Sequence, residues 1–241
     1  MSVTDFTILD GIALIWFLAC WAGFGRFSKR QAASDVGLIP ALRAFRVRWM
    51  ERLCKREQHQ ADATLLGNLL RGALFFASTT VFILGGLVAL LGTAPRITEV
   101  VRQLPFSPPF SVWVWEAKVL ILIYVFIYAF FKFSWSAWQY NALSIVVGAS
   151  PDPREPPEFT QRYIEAASGL AALAGESFNR AIRAYYFSMA AVTWFLHPLA
   201  MILTTTWVTY VLYRREFSSA TLTALKAANS SADVDRLSMA P

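Results

Sequence analysis

The sequence predicts an all-α, polytopic membrane protein: four transmembrane helices, the third and fourth extended into a cytoplasmic helical hairpin, with an amphipathic basic helix between the first and second. Three observations predict it. Of 241 residues, 56% are hydrophobic and only 16% charged, and the mean hydropathy is +0.44, far from the balance of a water-soluble domain. Four stretches, 6–25, 72–92, 112–131 and 185–210, are long and apolar enough to cross the hydrocarbon layer, a task that takes about 20 residues. Lys and Arg are concentrated in two of the three connectors that these spans define.

The first span, 6–25, has the length of a secretory signal, and "FLAC" (17–20) loosely suits a lipoprotein cleavage site, yet both need a basic start. "MSVTDF" carries no Lys or Arg, whereas "RFSKR" (26–30) follows the apolar stretch. That order reads as an uncleaved span whose second end faces the cytoplasm. Residues 26–71 hold ten Lys and Arg, 132–183 five and the C-terminal tail four, against only Arg96 and Arg102 in 94–111. The positive-inside rule then puts the first and third connectors in the cytoplasm and both termini outside a bacterial inner membrane. Arg214 and Arg215, just after the fourth span, run against this scheme. The pI near 9.5 comes from basic residues that border spans and meet anionic headgroups. Membrane lipids are therefore the expected partners, with a protein partner or a homo-oligomer besides, and nucleic acid is not expected.

Between spans one and two, Pro40 suits the first turn of a helix. Leu42, Phe45, Trp49 and Leu53 follow at steps of three, four and four, an amphipathic stripe. Either the helix lies among headgroups, with Arg43, Arg46, Trp49, Arg52, Lys55 and Arg56 as lipid contacts, or it packs its stripe on the protein itself. Beyond Lys132 a second stripe continues the third span through Phe131, Trp135, Trp138, Ala142 and Ile145. "SPDPREPPEF" (150–159) breaks it as a turn. Ile164, Ala167, Ala171, Ala174, Phe178, Ala181 and Tyr185 then return on a face of mostly small residues. This predicts a cytoplasmic hairpin over 132–184, its first arm projecting roughly 27 Å at 1.5 Å per residue. One membrane domain over 1–219 is expected, with 220–241 a flexible tail.

An ionisable group in hydrocarbon costs about 3 kcal/mol and is a functional candidate. Asp10 and Lys118 lie at similar depth near the outer ends of spans one and three. They form an interior ion pair or snorkel separately to the interface. Glu116, two residues from Lys118, points elsewhere on the helix and faces the outer headgroups. His197 falls near the bilayer middle of the fourth span, and Pro198 frees the carbonyl of residue 194, which in lipid needs another partner. The reading is a kink packed into the bundle, its imidazole bonded to Ser78, Thr79 or Thr80, with proton handling or ligand contact as the alternative. Trp113, Trp115, Trp135, Trp138, Trp207 and Tyr210 read as interface belts. No catalytic, metal or cofactor residues are expected, because no G-x-S-x-G, phosphate loop, CxxC or HExxH spacing occurs. Cys20 and Cys54 fall at different depths, out of disulfide range.

Four stretches, "GNLLRGALFFASTTVFILGGL" (67–87), "KFSWSAWQYNALSIVVGA" (132–149), "FNRAIRAYYFSMAAVTWFLHP" (178–198) and "LYRREFSS" (212–219), resemble the bacterial and plant membrane proteins grouped as domain-of-unknown-function family 599. The likeness runs over most of 6–219. It implies an integral membrane protein and brings no activity with it. The residues themselves point to a non-enzymatic accessory, assembly or scaffold protein. The alternatives are a small transporter or channel using Asp10, Lys118 and His197 and, more remotely, a lipid-modifying enzyme.

Overall fold

The computed structural model describes residues 7–34, 36–93, 112–152 and 154–238. The second connector with Arg96 and Arg102 lies outside the described residues. All regular structure among those described is helical: α1 (Ile8–Ala33), α2 (Leu38–Leu53), α3 (Gln60–Gly92), α4 (Val112–Gly148), α5 (Pro157–Val192), a single 3-10 turn (Thr193–Phe195), α6 (Pro198–Phe217) and α7 (Ala220–Ser238). Of these, α1, α3 and α4 are long and apolar enough to cross a membrane.

The helix starts are written locally. Before α1, "TILD" forms a capping box. The Thr7 hydroxyl accepts from the Asp10 N–H at 3.2 Å, and the Asp10 carboxylate accepts from the Thr7 N–H at 3.1 Å, filling donors that a helix start leaves open. Pro157 and Pro198 open α5 and α6, where a missing N–H costs nothing. Ser219 caps α7 by accepting from the Leu222 N–H at 3.2 Å.

The chain divides into two compact units. The first comprises Met1–Phe27, Phe75–Lys132 and Arg180–Leu212. Its interior is built from Phe17, Val119, Val125, Phe187, Trp194 and Met201, all at most 1% exposed. Phe17 meets Phe187 edge-on at 5.9 Å, and Phe126 meets Tyr185 at 5.3 Å. The Trp16 indole donates to Thr206 at 3.1 Å.

The second unit comprises Ser28–Leu74, Phe133–Asn179 and Tyr213–Pro241. Met50 and Leu53 of α2, Leu66 and Ala73 of α3, Ala137 and Leu143 of α4, and Ala167, Ala171 and Ala174 of α5 form its core. The small residues on α5 let these backbones approach closely. On α4 the packed face is Phe133, Ala137, Tyr140, Leu143 and Val147. The stripe Phe131, Trp135, Trp138 and Ile145 lies on the other side, and all four of its residues are exposed. Trp135 and Trp138 stack there at 4.8 Å and 7°.

Two expectations are corrected. The stretch 185–210 is not one span: α5 ends at Val192 and α6 begins at Pro198, because Pro198 lacks the N–H that would continue the helix. The stretch 220–238 is not a loose tail. Ala220–Ser238 is helical, and α7 packs on α2. Ser28 donates to Glu216 at 2.7 Å, and Arg48 donates to Asn229. Gly37, at φ 116°, precedes α2, and a Cβ there would lie 3.1 Å from the Phe217 ring. Glycine suits that position both for its backbone region and for the room that Phe217 takes.

Candidate functional site

Asp10, Lys118 and Trp194 converge within the first unit. Asp10 and Lys118 are each 5% exposed and Trp194 1%. Lys118 Nζ stands 3.4 Å from Asp10 Oδ1, and the Trp194 indole donates to the same oxygen at 2.7 Å. The other carboxylate oxygen accepts from the Thr7 N–H and hydroxyl. Lys118 also donates to the Trp194 carbonyl at 3.1 Å and lies 5.0 Å from the Trp194 ring centre, within cation–π range.

That carbonyl is the one Pro198 leaves without its helical partner, since the missing N–H lies four residues on. The partner that this carbonyl takes elsewhere is Lys118. The cluster thus ties together the start of α1, the start of α4 and the end of α5. Its charges are opposite, and both Asp10 oxygens are engaged. Such a site is suited to holding helix ends together.

The other candidates disperse. Glu116 is half-exposed and sits two residues from the pair without joining it. His197 is exposed at the junction between the 3-10 turn and α6. Its Nδ1 accepts from the Leu199 N–H at 3.1 Å, so it acts as the cap of α6 with Pro198 as first helical residue. Ser78 is exposed, Thr79 bonds back to the Phe75 carbonyl at 2.8 Å, and buried Thr80 shares a 2.7 Å hydrogen bond with the Tyr185 hydroxyl. None of the three contacts His197 by hydrogen bond. Trp115 is not an interface residue either; it is 8% exposed and meets Phe195 at 4.7 Å.

On α2 and just after it, Arg43, Arg52 and Lys55 are exposed, while Trp49 donates its indole N–H to buried Asp62 at 2.7 Å and Arg56, beyond the helix end, reaches the same oxygen at 3.4 Å. Arg46 turns inward against Gly175. Burial pushes its guanidinium below the usual value, against the opposing pull of Tyr140. The helix therefore packs on the protein through Met50 and Leu53, the second of the two readings. Thr7 and Trp194 escaped the sequence reading. The T-x-x-D spacing was the available signal for Thr7; Trp194 had none beyond its place four residues before a proline.

A family model described as a protein of unknown function, DUF599, matches residues 12–221. The chain belongs to the DUF599 family. The match takes in Lys118, Trp194 and all of α2–α6, and begins two residues after Asp10. No curated protein and no solved structure matches the chain, so DUF599 membership fixes kinship and carries no activity.

Proposed function

We propose that the chain is an integral membrane scaffold that crosses a bacterial inner membrane five times and holds a helical unit on the cytoplasmic face. There the unit binds a protein partner or a second copy. In this reading the first, third and fifth crossings run outward to inward, so the N-terminus is outside and the C-terminus inside. The observation that carries it is the packing of Glu216, Phe217 and α7 on the segment after α1. Moving the tail to that side puts nineteen of the 22 Lys and Arg inside, leaving only Arg96, Arg102 and the paired Lys118. Arg214 and Arg215 then obey the positive-inside rule. Support for a scaffold over a transporter or channel comes from the same residues: Asp10 and Lys118 neutralise one another, His197 is spent on a helix cap, and the exposed Trp135–Trp138 stack offers a docking face.

Paired fusions test the topology. A fluorescent protein at the C-terminus is expected to fluoresce and alkaline phosphatase inserted near residue 100 to be active; an active C-terminal phosphatase overturns the five-crossing reading. Purification in mild detergent tests the scaffold. A stoichiometric companion chain or a defined homo-oligomer is expected, lost in Trp135→Ser/Trp138→Ser, and a solitary monomer overturns it.

A further inference from the structure

A separate cluster of polar side chains lies within the second unit. His59 stands immediately before α3, Asp62 is in that helix's first turn, and Ser150 follows the end of α4, anchored by its N–H to the Val147 carbonyl at 3.2 Å. The Ser150 hydroxyl and His59 Nε2 are 3.2 Å apart. His59 Nδ1 faces Asp62 Oδ2 at 3.9 Å. Asp62 is 3% exposed, and its Oδ1 is held by Trp49 and Arg56. The two atoms that face each other across the gap, His59 Nδ1 and Asp62 Oδ2, are both buried and have no hydrogen-bond partner among the described residues. Leaving a buried polar atom unmet is costly, and a small closure of that gap would satisfy both at once. Such bonds are commonly long before substrate binds. With its proton on Nδ1, facing the carboxylate, the imidazole presents Nε2 as an acceptor to Ser150.

We propose that Ser150 is a nucleophile toward carboxylic esters, with His59 as its general base and Asp62 as the residue that positions His59. The Ser150 O–H bond breaks as Oγ attacks the ester carbonyl, and the proton passes to His59 Nε2. The carbonyl carbon's bond to the alkoxy oxygen then breaks, and the leaving alcohol takes the proton from His59. Water, deprotonated in turn by His59, attacks the acyl-serine to release the carboxylic acid and restore the Ser150 hydroxyl. No oxidant or reductant enters. In the same unit a cavity of about 650 Å³ is lined by Cys54 and Lys55, just after α2, and by Glu155, Pro157, Thr160 and Ile164, none of them a member of the Ser150–His59–Asp62 cluster. The sequence expectation of no catalytic residues rested on contiguous motifs, whereas His59 and Ser150 are 91 positions apart.

The inference does not depend on the scaffold reading, and its test does not involve a partner. The full chain in mild detergent is treated with an alkyl fluorophosphonate, whose phosphorus takes the serine oxygen and loses fluoride, and the adduct is mapped by peptide mass spectrometry. An adduct on Ser150 is expected, forming faster as pH rises, as activation by a general base requires. His59→Gln should slow it by about 100-fold or more, the scale of a lost general base. Asp62→Asn should also slow it, and Ser150→Ala should abolish it without changing the elution volume. Absence of an adduct at Ser150, a rate equal in His59→Gln, or a rate flat in pH overturns the proposal. Should Asp62→Asn fail to fold, the half-exposed His59→Gln variant and the pH profile decide alone.

Discussion

Replacing Lys118 by Met removes the cation from a site where its partner cannot follow it into water. Asp10 is 5% exposed, and after the substitution its carboxylate keeps the Trp194 indole and Thr7 but loses the ammonium 3.4 Å away. Breaking one side of a buried ion pair costs about 3–5 kcal/mol. The Trp194 carbonyl also loses its 3.1 Å donor. For a chain of this length each kcal/mol lowers the melting temperature by about 2–4 °C, so Tm should fall by roughly 6–20 °C. Intrinsic tryptophan fluorescence in mild detergent measures it, because Trp194 sits on the pair. Most of the cost is an uncompensated charge, not a lost contact. Adding Asp10→Asn to the Lys118→Met background should therefore recover at least half of the fall, since the neutral amide needs no counter-ion. A Lys118→Met change below about 2 °C, or a double variant no more stable than the single, would refute the reasoning and restore independent snorkelling of the two residues.

His197→Ala should lose only a cap, about 1 kcal/mol, and thermal unfolding should fall by a few degrees; a larger collapse would mean the imidazole is buried among helices after all. Gly175→Ala drives a methyl group into the Arg46 guanidinium and should cost about 1–3 kcal/mol as overpacking does. Shortening the obstacle with Arg46→Ala should relieve it, a rescue read directly by comparing the melting temperatures of the double and single variants. The Tyr163 phenol donates to the Val146 carbonyl at 3.0 Å, and burial, with Cys54 nearby, pushes its pKa up to about 12. Because the folded state holds this proton more tightly than the unfolded chain, the associated stability is fully present below pH 10 or so and is lost as pH climbs toward 12. Tyr163→Phe should flatten the alkaline limb of a Tm-against-pH curve in that interval, and an unchanged limb would count against it.

The helical class and the Asp10–Lys118 meeting were legible because each follows from one rule applied to one element: apolar length for the class, depth along two spans for the pair. The turn at His197 was not, because hydropathy counts greasy residues without regard to direction. The 30 residues from 184 to 213 carry no charge, and a return stroke adds to such a count just as a continuing helix does. Pro198 has the same ambiguity in local terms, since a kink within a helix and the first residue of a new one both begin with a missing N–H. What separates the two is the side chain before it. An imidazole that can accept from the N–H two residues on makes a start, and a buried one with no such acceptor role makes a kink. Arg214 and Arg215 carried a clue in their charge: a continuous fourth span put both on the outer side, and the proposed five-crossing topology, with a hairpin at 193–198, removes the conflict. The same logic explains α7. Its Ala, Ser and Thr composition reads as tail because nothing in 220–238 could fold alone, and it becomes a helix only where Leu222, 5% exposed, has the second unit to pack on. Tertiary packing supplies most of the stability of short amphipathic helices, so a terminal helix that docks on a distant segment is invisible until the topology brings that segment to the same side.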